Sequence, residues 1–435
     1  MLSITKTYRG ILKIFMNTYI YTFGCKVNQV ESEKIINCSA SKGFNIVETP
    51  DDAELIIINS CAVTERAEKK FKALIKKLKT ANSAVTVAVT GCAAEKEKDR
   101  LKELGADIVV TNSGKSDILD YISEGTDWLK DISEPHGFIS AENRQMSTRT
   151  RAFIKIQDGC DSMCAYCIIP ALRGKPMSRD AEDILNEVRA LADAGHKEIV
   201  PVGIHVGKYG LDLKNGMNLP KLINMMLGVS DTFRIRLTSI ELNEITDEMA
   251  ALLTENTDRI CRHYHIPLQS GSTAVLKRMN RHYTAEDYIE KARMLKKLVP
   301  DCTIGADIIV GFPGETEENF QETLDTVKRA GIDHIHVFAY SDRSGTEASS
   351  MSGKVDGKTK AQRAGCLRGL ADEMKRLSAE RMIGKTLTVL TQNDGTGLTD
   401  NFFSVNFSLG VEHNMLLDVK VTDVDNGNML KVEII

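Results

Sequence analysis

A chain of 435 residues with 42% apolar and 27% charged residues has the make-up of a soluble enzyme and room for about three domains. Its net charge of −4 excludes a global attraction to nucleic acid, so RNA binding would need a local basic patch. Ten cysteines without a secretory signal point to a reducing cytoplasm and to metal or redox chemistry rather than a disulfide framework, and the absence of any run of about eighteen apolar residues excludes a membrane-spanning helix.

Residues 1–16 read as an extension. Lys6, Arg9 and Lys13 surround the short apolar pairs Ile11-Leu12 and Ile14-Phe15, too little for a signal peptide. Met16, just before the first convincing strand, is an equally good start.

Residues 17–130 repeat one pattern. Tyr19–Phe23 runs into Gly24-Cys25, Leu55–Ile58 into Asn59-Ser60-Cys61, and Val85–Val89 into Thr90-Gly91-Cys92. A helical stretch follows each cysteine, and Ile108–Val110 offers a fourth strand. Near-continuous apolar runs suit a parallel sheet buried on both faces, a Rossmann-like domain. Ligands bind along the carboxyl edge of such a sheet, where Cys25, Cys61 and Cys92 can meet. Each cysteine alone reads as a core thiol; three at the same place in successive units read as a second iron–sulfur site. On the helix after Cys61, Phe71, Leu74, Ile75 and Leu78 form an apolar stripe. Arg66, Lys69, Lys70, Lys72, Lys76, Lys77 and Lys79 crowd the rest, as a solvated face or as phosphate contacts.

Residues 131–146 read as a polar linker, and Arg144, Arg149 and Arg151 as solvent-facing. A domain over 147–378 follows, with six strand candidates: Phe153–Gln157, Glu198–Val202, Arg234–Thr238, Tyr264–Leu268, Thr303–Val310 and His334–Tyr340. Helical periodicity between them implies a partial (β/α)6 barrel, open enough for a macromolecular substrate. Its first strand ends at Asp158-Gly159 and runs into Cys160-x3-Cys164-x2-Cys167. Thiolates are iron–sulfur ligands, and three of them on a [4Fe–4S] cluster leave one iron open. A zinc site wants four ligands, usually in two pairs, and no second pair lies nearby. Cys38, Cys261, Cys302 and Cys366 fit no ligand pattern. Polar and Gly-rich residues gather where barrel chemistry sits, at the strand ends: Gly203, His205, Ser239, Glu241, Gln269, and Asp307 through the turn 311–316. Two basic stretches, Arg173 to Arg179 and Lys277 to Arg281, flank these.

The segment 382–435 alternates through four β stretches, Thr386–Leu390, Phe402–Phe407, Met415–Val421 and Met429–Ile435. The pattern resembles a small β-barrel of the OB type, read either as an RNA-binding appendage or as a structural lid. Its excess of acidic residues (Asp394, Asp400, Glu412, Asp418, Asp423, Asp425 and Glu433) argues against strong autonomous RNA affinity.

The Cys160-x3-Cys164-x2-Cys167 loop, with aromatic Tyr166 before its last cysteine, resembles the radical S-adenosylmethionine (SAM) superfamily. Together with Gly24-Cys25-Lys26-Val27-Asn28-Gln29, Asn59-Ser60-Cys61-Ala62-Val63-Thr64 and Thr90-Gly91-Cys92, the chain resembles the radical SAM methylthiotransferases from about residue 17 onward. The Cys-Lys-Val-Asn spelling is similar to the branch acting on N6-threonylcarbamoyladenosine beside the tRNA anticodon, at position 37. The isopentenyladenosine branch and the branch modifying a ribosomal-protein aspartate spell this site differently. The resemblance implies two [4Fe–4S] clusters, one on Cys160, Cys164 and Cys167 and one on Cys25, Cys61 and Cys92. It implies SAM held near Tyr166, Gly203, Ser239, Glu241, Gln269 and Asp307, although Pro201-Val202-Gly203 departs from the family's usual glycine pair. It implies a TRAM-like C-terminal barrel, tRNA as partner, an electron donor such as a flavodoxin, a sulfur source, and a monomer. Lys26, Arg173 and Arg179 are the substrate-contact candidates. A non-enzymatic iron–sulfur RNA-binding protein is the competing class, and detection of 5′-deoxyadenosine would exclude it.

Overall fold

The computed structural model describes residues 16–62, 65–130, 137–139, 150–393, 395–407 and 410–435, with the side chains of 65–67 left aside. The basic N-terminal stretch, Val63-Thr64, the Arg66 side chain, the linker arginines Arg144 and Arg149, and Asp394 lie outside the described residues. Two compact units divide the chain, 1–145 and 146–435.

The first unit is a parallel sheet with helices. Its elements are β1 (Met16–Thr22), α1 (Lys26–Ser39), β2 (Phe44–Ile46), β3 (Leu55–Ser60), α2 (Glu65–Ala81), β4 (Thr86–Gly91), α3 (Cys92–Lys96), α4 (Lys98–Glu103), β5 (Ile108–Val110) and α5 (Ile118–Glu124). The strand order is β2-β1-β3-β4-β5, with every pair parallel. Leu55 to Ile58 are wholly buried because β3 is central and covered on both faces. Five strands stand where four apolar runs mark the sequence. The extra one, β2, is a three-residue edge strand, too short and too exposed to leave an apolar signature.

The second unit begins with β6 (Arg151–Lys155), β7 (Gln157–Asp158), α6 (Ile169–Arg173), β8 (Met177–Ser178), α7 (Ala181–Asp193), β9 (Glu198–Val202), α8 (Leu219–Leu227), β10 (Arg234–Ile235) and α9 (Asp247–Glu255). It continues through β11 (His263–His265), α10 (Thr273–Arg278), α11 (Ala285–Leu298), β12 (Thr303–Val310), α12 (Glu317–Ala330), β13 (His334–Ala339), α13 (Glu347–Ser350) and α14 (Gly357–Glu380). Two parallel sheets, β10-β9-β6 and β11-β12-β13, are joined by parallel bridges Ile235↔Ile260 and Ser239↔His265. The result is a six-stranded partial barrel. Strand alternation sends Ile154, Ile199, Ile235, Ile304 and Ile308 into the core under the helices. It sends Lys155, Arg234, Arg236, His263, His265, Asp307, His334 and His336 to the opposite, interior face.

A closed five-stranded barrel follows, from β14 (Thr386–Thr391), β15 (Thr396–Thr399), β16 (Ser404–Asn406), β17 (Leu416–Val424) and β18 (Leu430–Ile434). Strand β15, Thr-Gly-Leu-Thr, is too polar to show in the hydrophobic pattern. Of the two readings of this segment, the lid has direct contacts. At the amino end of the partial barrel, Glu198 accepts from Arg234 and Arg236. The remaining guanidinium N–H groups donate to the carbonyls of Thr388, Leu398, Thr399 and Asp400, each at 3.0 to 3.1 Å. Phe402 stacks on His263 at 4.3 Å and 11°. Burial alone would raise the Glu198 carboxyl, but the guanidiniums of Arg236 and Arg234 outweigh it and hold it at about 2. The small barrel thus forms the floor of the large one.

Candidate functional site

At the carboxyl edge of the first unit's sheet, Cys25 is the N-cap of α1, Cys61 follows β3 directly, and Cys92 opens α3. The register sets Thr22 beside Asn59 and Ser60 beside Gly91, so the three strands end together. Gly24 has φ +104°, and a Cβ there would lie 2.8 Å from the Cβ and Sγ of Cys61. Any side chain at position 24 would therefore collide with Cys61. Asn28 ties the turns together, donating to Phe23 O at 2.8 Å and Ser60 O at 2.9 Å. Behind them lies a buried ion pair, Lys115–Glu31 at 2.7 Å, with Lys115 also reaching Asn59 Oδ1 at 3.4 Å. Lys26 is exposed in the first turn of α1, next to Cys25.

In the second unit the loop after β7 carries the other three thiols, Cys160 buried and Cys164 and Cys167 half-buried. Asp158 is its anchor. The carboxylate accepts from Gly159 N at 2.8 Å, from Arg173 Nη1 at 3.0 Å to both oxygens, and from Lys155. Gly159, at φ +71°, lies so close to the Lys175 carbonyl that a Cβ would overlap it. Arg173 is 1% exposed. It is spent inside the loop wall rather than presented to a substrate, because α6 turns back beneath the cysteines. Arg179 likewise pairs with Glu187 and donates to Asp183 O at 3.1 Å. Both guanidiniums are thus engaged by carboxylates of the chain itself.

Two residues from distant parts of the chain reach the sulfurs, His205 after β9 and Arg281 after α10. His205 Nδ1 lies 3.2 Å from Cys160 Sγ, while its Nε2 meets Glu244 Oε1 at 2.5 Å. Arg281 Nη1 lies 3.4 Å from Cys164 Sγ, and the same guanidinium pairs with Glu241. Burial favours neutral His205, but Cys160 and Glu244 outweigh it and hold its pKa up to about 10. Burial would raise the Cys160 thiol, yet His205 brings it below the ordinary value. For Cys167 the removal from solvent outweighs the pull of Arg281, and the thiol is pushed up to about 12. The basic stretch 277–281 also fixes the loop, since Asn280 Nδ2 donates to Met163 O at 2.6 Å and Ala165 N to Met279 O at 3.0 Å.

A cavity of about 580 Å³ opens here, lined among others by His205, Lys208, Glu241, Asn243, Arg281 and Tyr283. That volume suits a nucleoside-sized ligand. Tyr166 packs against the apolar cluster of Ala165, Val275, Met279 and Phe312, and burial raises its hydroxyl well above the ordinary range. Gly203 lies over the Gln157 side chain, 2.9 Å from Oε1 if given a Cβ. Gln157 in turn accepts from His205 N and donates to Gly159 O, both at 2.8 Å, joining the end of β9 to the cysteine loop. Ser239 is exposed at the bridge to β11. Gln269 adopts φ +64° and is bound through its backbone to Asp307 and Ile309. Asp307, expected near SAM, faces His265 and His336 instead. Sequence reasoning had no role for Gln157, Asp158 or Glu244. His205 and Arg281 had been placed at a strand end and in a basic stretch, without their contacts to sulfur.

A six-stranded partial barrel with three thiols in one loop beside a polar cavity at its strand ends defines a radical SAM enzyme. The Radical SAM superfamily pattern matches residues 154–327, and that of the Uncharacterized protein family UPF0004 matches residues 17–111. The chain is 37% identical to the threonylcarbamoyladenosine tRNA methylthiotransferase MtaB of Bacillus subtilis, over 92% of each chain. It is 39% identical to the MtaB of Thermotoga maritima over 86% of each. It is 36% identical to a tRNA-2-methylthio-N(6)-dimethylallyladenosine synthase of Thermotoga petrophila, over 87% of this chain and 86% of that one. Among solved structures, the radical SAM methyltransferase TsrM of Kitasatospora setae shares the fold, with a TM-score of 0.57 at 14% identity over 77% of each chain. The chain belongs to the radical SAM tRNA methylthiotransferase family. A [4Fe–4S] cluster and SAM come with that membership, and the donor chemistry of Cys160, Cys164 and Cys167 fits the cluster.

Proposed function

We propose that this chain methylthiolates N6-threonylcarbamoyladenosine at position 37 of tRNA, using two three-cysteine iron–sulfur sites. Cys160, Cys164 and Cys167 would hold one cluster, and Cys25, Cys61 and Cys92 the other. The second site is supported by the strand register that ends β1, β3 and β4 together and by the glycine at position 24, which leaves room for the Cys61 thiol. When bound, these groups supply the electron that splits SAM for hydrogen abstraction and the sulfur that carries a methyl group to the inert adenine C2.

The chain's own residues bind, orient and shield. Glu241 and Arg281 offer a carboxylate and a guanidinium at the cavity edge, complementary to the ammonium and carboxylate of the SAM methionine. Ser239 and Gln269 suit ribose hydroxyls, and Tyr166 and Gly203 complete the set proposed for SAM. His205 directs positive charge at the Cys160 sulfur, favouring its thiolate form, and Arg281 reaches the Cys164 sulfur. An electron donor of the flavodoxin kind and a sulfur source complete the partners.

The observation that carries the substrate choice is Lys26, exposed beside Cys25 at the sheet edge. A cation there suits the free carboxylate of threonylcarbamoyladenosine, which an isopentenyl group lacks. A site built for that charge discriminates strongly, because an unpaired buried carboxylate costs several kcal/mol. The test gives the reconstituted enzyme each tRNA with SAM, reductant and sulfide. Methylthio product is expected on threonylcarbamoyl tRNA alone. Product on the isopentenyl tRNA, or on neither, would overturn the assignment.

A further inference from the structure

Four of the nine histidines line the interior face of the partial barrel in two H-x-H pairs, His263-Tyr-His265 on β11 and His334-Ile-His336 on β13. Between them runs β12, with Gly305 and Asp307 on the same face. The parallel register sets His265 beside Gly305 and Asp307 beside His336. A Cβ on Gly305 would sit 2.8 Å from His265 Nδ1 and 3.0 Å from His263 Cε1, so the missing side chain makes room for both imidazoles.

One oxygen, Asp307 Oδ1, faces both outer histidines, His265 Nε2 at 3.2 Å and His336 Nδ1 at 3.0 Å. All three ligand atoms lie within 4.8 Å of one another. Ligand bonds of about 2.1 Å at right angles put neighbouring donor atoms roughly 3.0 Å apart, close to the separations seen here. Two imidazoles and one carboxylate suit borderline first-row cations and leave positions open to oxygen ligands. Exposure rises from 13% at His265 through 29% at Asp307 to 60% at His336, which gives an ion a path in from solvent. From these observations we propose that His265, Asp307 and His336 form a binding site for one divalent first-row cation, separate from the cysteine sites.

Mn(II) is the probe, because it prefers nitrogen and oxygen donors to thiolates and has a strong magnetic resonance signal when free in solution. Cluster-loaded full-length protein is titrated with Mn(II), and the free ion is read from that signal. One equivalent is expected to bind, with affinity reduced at least tenfold in both His336→Ala and Asp307→Asn. The exposed His336 side chain can be removed without opening the core, and His336→Gln stands in should the alanine variant lose cluster iron. Absence of binding to the unaltered protein would overturn the site. So would binding that either substitution leaves unchanged, since the ion would then sit elsewhere and the three groups would be a hydrogen-bonded cluster only.

Discussion

In the second unit the three thiols fall between Cys160 and Cys167, within one loop, whereas in the first they run from Cys25 to Cys92 and are gathered only by the sheet. Each set nevertheless rests on a buried charge pair and a glycine. Asp158 with Arg173 and Lys155 underlies the loop, beside Gly159. Glu31 with Lys115 underlies the sheet edge, behind Gly24. The contrast teaches that local spacing decides how a thiol set is found, while the buried support beneath it is built alike in both units.

The largest effects separate the two sets. Cys164→Ala is expected to abolish SAM cleavage, whereas Cys61→Ala should lose about half the iron and still release 5′-deoxyadenosine; both are read by iron assay and nucleoside chromatography. Equal loss of cleavage in the two variants would break the comparison. Next come the ion pairs. Asp158→Asn strands two buried cations, and Lys115→Met strands Glu31, so each should destabilise its own unit by about 3–5 kcal/mol. Denaturant unfolding with limited proteolysis checks whether the damage stays within the unit carrying the substitution.

A smaller effect concerns the floor of the large barrel. His334 packs against Phe402 and Phe403, and burial lowers its pKa to about 4. A group depressed in the folded state stabilises above its unfolded pKa of about 6.5 and loses that contribution as pH falls towards 4. Stability should therefore fall by about 2 kcal/mol between pH 7 and pH 5, and His334→Phe should flatten the change. Urea unfolding at both pH values tests it, and an equal drop in the variant would remove His334 from the account. The smallest effect is at Lys26. Lys26→Met should lower turnover of threonylcarbamoyl tRNA about tenfold, roughly 1.4 kcal/mol, without altering 5′-deoxyadenosine release in the absence of tRNA. An unchanged rate would mean that the lysine does not meet the substrate.

The fold was legible wherever burial on both faces produced continuous apolar runs, as in β3, β4 and β12. It was not legible at β2 and β15, whose few residues are polar or exposed and owe their pairing to neighbours. The cysteines announced themselves by spacing or by repetition at strand ends. Their supporting groups did not, because Arg281 comes to Cys164 from 117 residues away and His205 to Cys160 from 45. Arg173 misled for a related reason: nearness in sequence to a cluster loop does not tell whether a guanidinium points outward or under the loop. The paired H-x-H pattern was visible in the chain, and the period of two would have placed both histidines of each pair on one face.

The floor supplied by the small barrel has a consequence for how the chain is made. Arg236 finds the Thr399 carbonyl 163 residues further on, and Arg234 the Leu398 carbonyl 164 further on. At ribosomal speeds of about 5–20 residues per second, that is roughly 10–30 s of synthesis during which the two arginines lack their carbonyl partners, and the last strand of the large barrel, β13, is itself made within that interval. Through that interval water must solvate the guanidiniums in place of the missing carbonyls. Dry closure of the barrel interior therefore waits for the turn at Thr399 to Phe403, so the nascent chain completes its radical site from the far side of a domain that comes later.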